Sequence, residues 1–237
     1  AQSNYQQQLA QIVDAWGQFE PVMTQPAGRG ATVEFRFRNA DAVEFTAHEI
    51  DVQKLLDDVK KFLKARPQQL DWQQLQIDNL GYRLVHEKQE KYIGKEVARW
   101  ELALEPRDNH FDRRTTVTTP LQKAGAYLVT AKVANGNTSN IVLWLADTAI
   151  LRKPLPQKSL YFVADAVTGK PIANANVEFF GYWNQHVDGR KFRMHLEQFA
   201  ELTDENGQTT LPVPEDNAQR NMQWLVTATT PQGRLAY

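Results

Sequence analysis

The stretch VADAVTGKPIANANV, residues 163–177, decides the fold. It reads as the end of one strand, a turn over Thr168-Gly169-Lys170-Pro171, and the entry to the next strand. Gly169 supplies a positive φ and Pro171 fixes the exit from the turn. Ala175 is small enough for the second strand to lie close to a neighbour. Working outward, Ser159 to Val167 and Asn176 to Tyr182 are the two strands, and Phe199 to Thr203 is another. Asp204-Glu205-Asn206-Gly207 is a second turn, followed by strands over Gln208 to Val213 and Met222 to Thr230. Gly233 to Tyr237 reads as the start of a further strand.

Upstream the same grammar holds. Val33, Phe35 and Phe37 alternate with Glu34, Arg36 and Arg38, and Val43 and Phe45 resume the alternation after the turn Asn39-Ala40-Asp41. Ala98, Trp100, Leu102 and Leu104 alternate, with Arg99, Glu101 and Glu105 between, and Thr115 to Thr119 is β-branched. Asn135-Gly136-Asn137 between the runs Ala126 to Val133 and Asn140 to Ala146 signals a hairpin. The segment Arg152 to Gln157, with Pro154 and Pro156, reads as a domain boundary. Short strands with turns between them predict β-sandwiches.

Two helices interrupt this pattern. Val52, Leu55, Leu56, Val59, Phe62 and Leu63 lie on one helical face, with Asp51 as the N-cap and Pro67 as the stop. Residues 68–93 are irregular, with a second helix or a loop around 71–77. Near the start, Tyr5, Leu9, Ile12, Val13 and Trp16 share a helical face, Gly17 ends it, and Glu20 to Gly30 reads as a linker. That helix is expected to pack on its own domain or to be a leader-proximal segment, with a partner-binding element as the alternative.

Composition excludes more than it selects. Of 237 residues, 42% are hydrophobic and 23% charged, as in ordinary globular chains. The net charge is −1, which offers nucleic acid or an anionic membrane no general attraction. There is no cysteine, hence no disulfide, thiolate metal site or cysteine nucleophile. The longest apolar run, Ile141 to Ala146, is strand length. The chain begins at Ala1 and ends within an apparent strand, which reads as a processed or, more economically, an excised polypeptide.

Candidate chemistry is sparse. No glycine-rich phosphate loop, Gly-x-Ser-x-Gly elbow or His-Glu-x-x-His is present. His186 and His195, with Asp188 and Glu197, fall between strands and are accounted for as exposed loop residues. Asp204 with Glu215 at position twelve imitates a calcium loop, but Gln208, Thr210 and Pro212 break its ligand pattern. Tyr182 and Trp183 could face a sugar, although adjacent strand residues point to opposite sides. Asn137-Thr138-Ser139 matches the glycosylation sequon within a turn. No catalytic, cofactor-binding or metal-binding residue is expected.

The strand, the D-x-x-T-G-x-P turn at 165–171 and the A-x-V entry at 175–177 resemble a motif of macroglobulin domains, which is shared with other Ig-like modules. The segment from Pro120-Leu121 through Gly125-Ala126-Tyr127-Leu128-Val129 to Trp144-Leu145-Ala146-Asp147 resembles the end of such a domain. Val43-Glu44-Phe45 running into the helix at Asp51 resembles bacterial α-2-macroglobulin-like proteins. The resemblance covers residues 31–237 and implies two tandem Ig-like macroglobulin sandwiches. One spans 31–151 with a helical insertion at 51–77, and the other spans 158–237; residues 1–30 form the N-terminal helix and linker. It implies a mainly β, non-enzymatic part of a protease trap of the periplasm, cell envelope or extracellular fluid. Its partners would be neighbouring macroglobulin domains and, through the full-length protein, proteases. The family's Cys–Gln thioester maps to no position; Leu196-Glu197-Gln198 lacks the nucleophile. An adhesin or carbohydrate-binding module, or accessory domains of a secreted hydrolase, are the alternatives.

Overall fold

Strand alternation places two phenylalanine-rich faces together in the first half of the chain. A computed structural model describes residues 2–65, 84–85, 90–188, 191–212 and 222–237. The expected second helix or loop around 71–77 lies outside the described residues. The chain divides into two units: Ala1–Val52 with Ile77–Leu145, and Gln53–Gln76 with Ala146–Tyr237.

The first unit begins with α1 (Gln2–Val13), β1 (Trp16–Phe19), β2 (Gln25–Pro26), β3 (Thr32–Arg38) and β4 (Ala42–Ile50). It continues with β5 (Ile93–Ala103), β6 (Arg113–Thr118), β7 (Gly125–Val133) and β8 (Thr138–Ala146). A three-stranded sheet in the order β1-β3-β6 and a five-stranded sheet in the order β2-β8-β7-β4-β5 form this unit. Val33, Phe35 and Phe37 from the first sheet and Val43, Phe45, Val129 and Leu143 from the second belong to one buried cluster. Phe35 meets Phe19 and Phe45 edge-on at centroid distances of 5.4 and 5.6 Å, the favoured geometry for aromatic quadrupoles. Phe45 in turn stacks on Trp100 at 5.1 Å.

Two expectations change here. The helix stops at Val13 and Trp16 opens a strand, so Trp16 does not belong to the helical face. Gly17 is a strand residue; a Cβ there would collide with the Phe35 ring, so close packing rather than helix termination explains it. The proposed linker likewise contains β2, and Ala27 is buried in the first core.

The second unit contains α2 (Val52–Lys64), β9 (Thr148–Leu155), β10 (Lys158–Asp165), β11 (Asn176–Asp188) and β12 (Lys191–Leu202). β13 (Gln208–Pro212), β14 (Gln223–Thr229) and β15 (Leu235–Ala236) complete it. Its sheets run β13-β10-β9 and β12-β11-β14-β15. Tyr161, Val163, Val177, Phe179, Leu211 and Ala228 form the core between them. The stretch 152–155, read as a boundary, is part of β9 and pairs with β10; Pro154 is tolerated because β9 is an edge strand. The units divide instead after Leu145.

Of the stretch 183–198, read as an insertion between strands, residues 183–188 belong to β11 and 191–198 to β12, which pair antiparallel. The four-stranded sheet is apolar on both faces. Val177 and Phe179 point into the sandwich, whereas Phe180, Tyr182, Met194, Leu196 and Leu225 gather on the other side with Val59, Phe62 and Leu63 of α2. The helix, inserted in sequence between β4 and β5, therefore covers the sheet of the second unit. Lys60 Nζ reaches Glu178 Oε2 at 2.7 Å, and Gln198 Nε2 donates to the other oxygen at 2.7 Å. Lys64 Nζ lies 5.8 Å from the centre of the Phe180 ring.

Leu63 is fully buried in this seam. Leu63→Ala is expected to lower stability by about 2–5 kcal/mol, the range for an unrelaxed core cavity. Chemical denaturation monitored by tryptophan fluorescence checks it, because Trp224 packs in the sheet that α2 covers.

Candidate interaction surfaces

The described backbone fixes where most of the candidate ligand residues lie; Glu215 of the calcium-like pattern is outside the described residues. In the β11–β12 hairpin Trp183 pairs with His195 and His186 with Phe192, so the two histidines project from opposite faces. The His195 ring stacks on Trp183 at 4.4 Å with an interplanar angle of 13°, and its Nε2 lies 2.9 Å from Gln185 Oε1. Tyr182 points the other way, into the α2 seam, and its hydroxyl donates to Gln223 Oε1 at 2.7 Å. A flat two-ring platform for a sugar is therefore not assembled from Tyr182 and Trp183. Among the described residues no three His, Asp or Glu side chains cluster as metal ligands.

The turn at 165–171 is a polar clasp. Asp165 Oδ1 accepts hydrogen bonds from Val167 N at 3.1 Å, Thr168 N at 2.8 Å and Thr168 Oγ1 at 2.9 Å. Asp165 Oδ2 accepts from Arg234 Nη1 at 2.9 Å, and the same nitrogen donates to the Asp147 carbonyl at 3.1 Å. Gly169 takes the positive φ (71°) that its sequence position demands. The Arg234 hydrogen bond, reinforced by those of Thr168 and Val167, holds the Asp165 carboxyl well below the usual carboxylate range.

The second turn is built alike. Asp204 Oδ1 accepts from Asn206 N at 2.9 Å and Gln208 N at 2.8 Å, so the oxygen that a calcium loop would aim at the cation serves the backbone. Buried Thr203 accepts from Ala175 N at 2.9 Å and donates to the Ile172 carbonyl at 2.7 Å. Thr203 thereby ties this turn to the end of the first motif. The sequon residue Asn137 is also a staple. Its Oδ1 accepts from Gly17 N at 2.8 Å and its Nδ2 donates to Gly17 O at 2.9 Å.

In the first unit the outward face of β1-β3-β6 carries a tryptophan–arginine ladder. The Arg36 and Arg38 guanidinium carbons lie 5.3 and 5.7 Å from the Trp16 ring centre. Asp112 receives both arginines, at 3.8 and 3.4 Å, and Arg114 Nε meets Glu20 Oε1 at 2.8 Å. Asp112 and Glu20 thus neutralise part of the ladder, while Arg36 Nε and Arg38 Nε are buried without a hydrogen-bond partner. Arg38 also donates to the Gln11 carbonyl, and Asn39 Nδ2 donates to the carbonyls of Ile12 at 2.7 Å and Asp14 at 3.2 Å. These groups satisfy the last carbonyls of α1 and place a cation at its negative end. The apolar side chains of α1 nevertheless face outward: Tyr5 is 73% exposed, Leu9 57%, Ile12 50% and Val13 41%. The expectation that this stripe packs on its own domain is therefore corrected. The sequence pattern revealed the amphipathic face, but neither the Arg38 clamp nor Arg234 left a local signal.

No helix among the described residues is long and apolar enough to cross a membrane. No family model and no curated protein matches the sequence. The structure is similar to a crystal structure of native α-2-macroglobulin from Escherichia coli spanning domains NIE-MG1, with TM-score 0.54 and 16% identity over 94% of this chain and 95% of that one. It is also similar to one spanning domains MG0-NIE-MG1, with TM-score 0.55 and 13% identity. There the match covers 94% of this chain and 63% of the other, so the chain spans less than two thirds of that fragment. At this identity the likeness defines a fold: tandem macroglobulin-like β-sandwiches, mostly β, with an N-terminal helix.

Two outcomes test the turn chemistry. Asp165→Asn is expected to lower the thermal midpoint at pH 7. A carboxyl with a depressed folded-state pKa contributes stability above its unfolded value, near 3.9, and loses it as pH falls below about 4. The gap between wild type and variant should therefore narrow in acid in a pH-resolved melting series. Gly207 adopts φ 70°, and a Cβ there would lie 2.6 Å from the Val163 carbonyl. Gly207→Ala is expected to cost on the order of 2 kcal/mol in urea unfolding.

Proposed function

We propose that this chain is a non-catalytic structural part of an α-2-macroglobulin-like, broad-spectrum protease inhibitor. The observation that carries the reading is the extent of the fold match, which covers 94% of this chain and 95% of the NIE-MG1 fragment. The polar motifs support it from the other side. Asp165, Thr203, Asp204 and Asn137 use their side-chain oxygens to hold strands and turns. With no cysteine in the chain, thioester capture of an attacker has to reside elsewhere in a longer polypeptide. The compartment is the periplasm, the cell envelope or the extracellular fluid, and the direct partners are neighbouring macroglobulin domains. Proteases are engaged by the whole protein.

The test is a trapping assay on the full natural polypeptide. After incubation with trypsin or elastase, hydrolysis of casein should fall while hydrolysis of a small chromogenic peptide persists, because a caged protease still admits small substrates. The 237-residue chain alone should leave both activities unchanged. Full-length protein that spares casein hydrolysis would overturn the reading, as would substrate turnover by this chain that is lost in His186→Ala or His195→Ala.

A further inference from the structure

The apolar stripe of α1 is an unused binding surface on an element that is firmly placed. Its C-terminal carbonyls are held by Arg38 and Asn39, and Asn39 is itself braced by His110 Nδ1 at 2.8 Å. The orientation of the helix is thus set from within the first unit. Yet Tyr5, Leu9, Ile12 and Val13, spaced to share one face, stay outside the core of that unit.

The chemistry of the helix narrows the occupant. Its sequence, QSNYQQQLAQIV, has no charged residue. Helices that bind anionic bilayers carry lysine and arginine on the polar face, and this one carries glutamine, asparagine and serine. Size argues against a separate molecule. Four side chains offer on the order of 300 Å² per side, against the roughly 800 Å² per partner of a stable complex. A surface this small suffices when the partner is covalently linked, because tethering supplies a local concentration in the millimolar range. The structural matches say where such a partner would lie. The fragment matched over 95% of its length is NIE-MG1, and the one matched over 63% has the further domain MG0 before it. α1 is the first element of the present chain.

We propose that the Tyr5–Leu9–Ile12–Val13 face of α1 is the docking face for a further β-sandwich domain preceding it in the same polypeptide. This rests on the reading of the chain as part of a macroglobulin array.

Hydrogen exchange read by mass spectrometry tests it on the 237-residue chain and on the full natural polypeptide. The amides of α1 should exchange at least about tenfold more slowly in the full polypeptide, as expected for a helix locked by packing. Leu9→Gln with Ile12→Gln should restore fast exchange there, while leaving the melting temperature of the 237-residue chain unchanged. Equal exchange in the two proteins overturns the proposal, and so does a natural polypeptide with no domain before α1. A loss of stability in the shorter chain would return the stripe to its own core. Dimerisation of that chain in sedimentation velocity, abolished by the two substitutions, would make a second copy the occupant. Protease trapping measured on the same samples keeps the two readings apart. An inhibitor whose α1 exchanges freely defeats only the docking face; a protected α1 without trapping defeats only the inhibitor.

Discussion

The second unit depends on covering both faces of one sheet. β11 carries Val177 and Phe179 to one side and Phe180 and Tyr182 to the other, so a two-layer sandwich would leave a phenylalanine and its neighbours in water. Exposing that much apolar surface is costly, at roughly 25 cal/mol per Å². Helix α2 resolves the conflict with Val59 and Leu63, and the ion pair between Lys60 and Glu178 forms at the edge of the same contact. Gly181 belongs to the same solution, since a Cβ there would collide with Met222 and press on Trp224. The three-layer arrangement of helix, sheet and sheet follows from the side chains of β11.

Much of this was legible in order of locality. The alternation of Val33, Phe35 and Phe37, the Asn-Gly hairpin and the Gly169 turn each depend on neighbours within a few residues, and each is where the pattern places it. So is the buried face of α2 at Leu55, Leu56, Val59 and Leu63. Failures came where two local readings were equivalent or where the partner was distant. Trp16 fits a helical period as well as a four-residue strand, and only pairing with Arg38 decides. Pro154 signals a boundary until the strand is known to lie at an edge. The polar residues at the start of β12 concealed a strand whose apolar positions, Met194 and Leu196, face a helix more than 100 residues earlier in the chain.

The same distinction governs the functional residues. Asp165 and Asp204 announce turns through their spacing, and their carboxylates act within those turns. What completes them is non-local: Arg234 clasps Asp165 across 69 positions, and Arg38 reaches Gln11 across 27. In both cases a charged side chain closes a connection that the local sequence leaves open.

The chain separation of α2 from its sheet also sets a timetable. Lys60 and Glu178 are 118 residues apart, so at about 5–20 residues per second the helix leaves the ribosome roughly 6–24 seconds before the strand that covers it. During that interval β5 emerges and can close on β4, while Val59 and Leu63 still lack the sheet that covers them. The second unit therefore closes only after most of the chain has been made. Its late strands find a template already waiting when they appear.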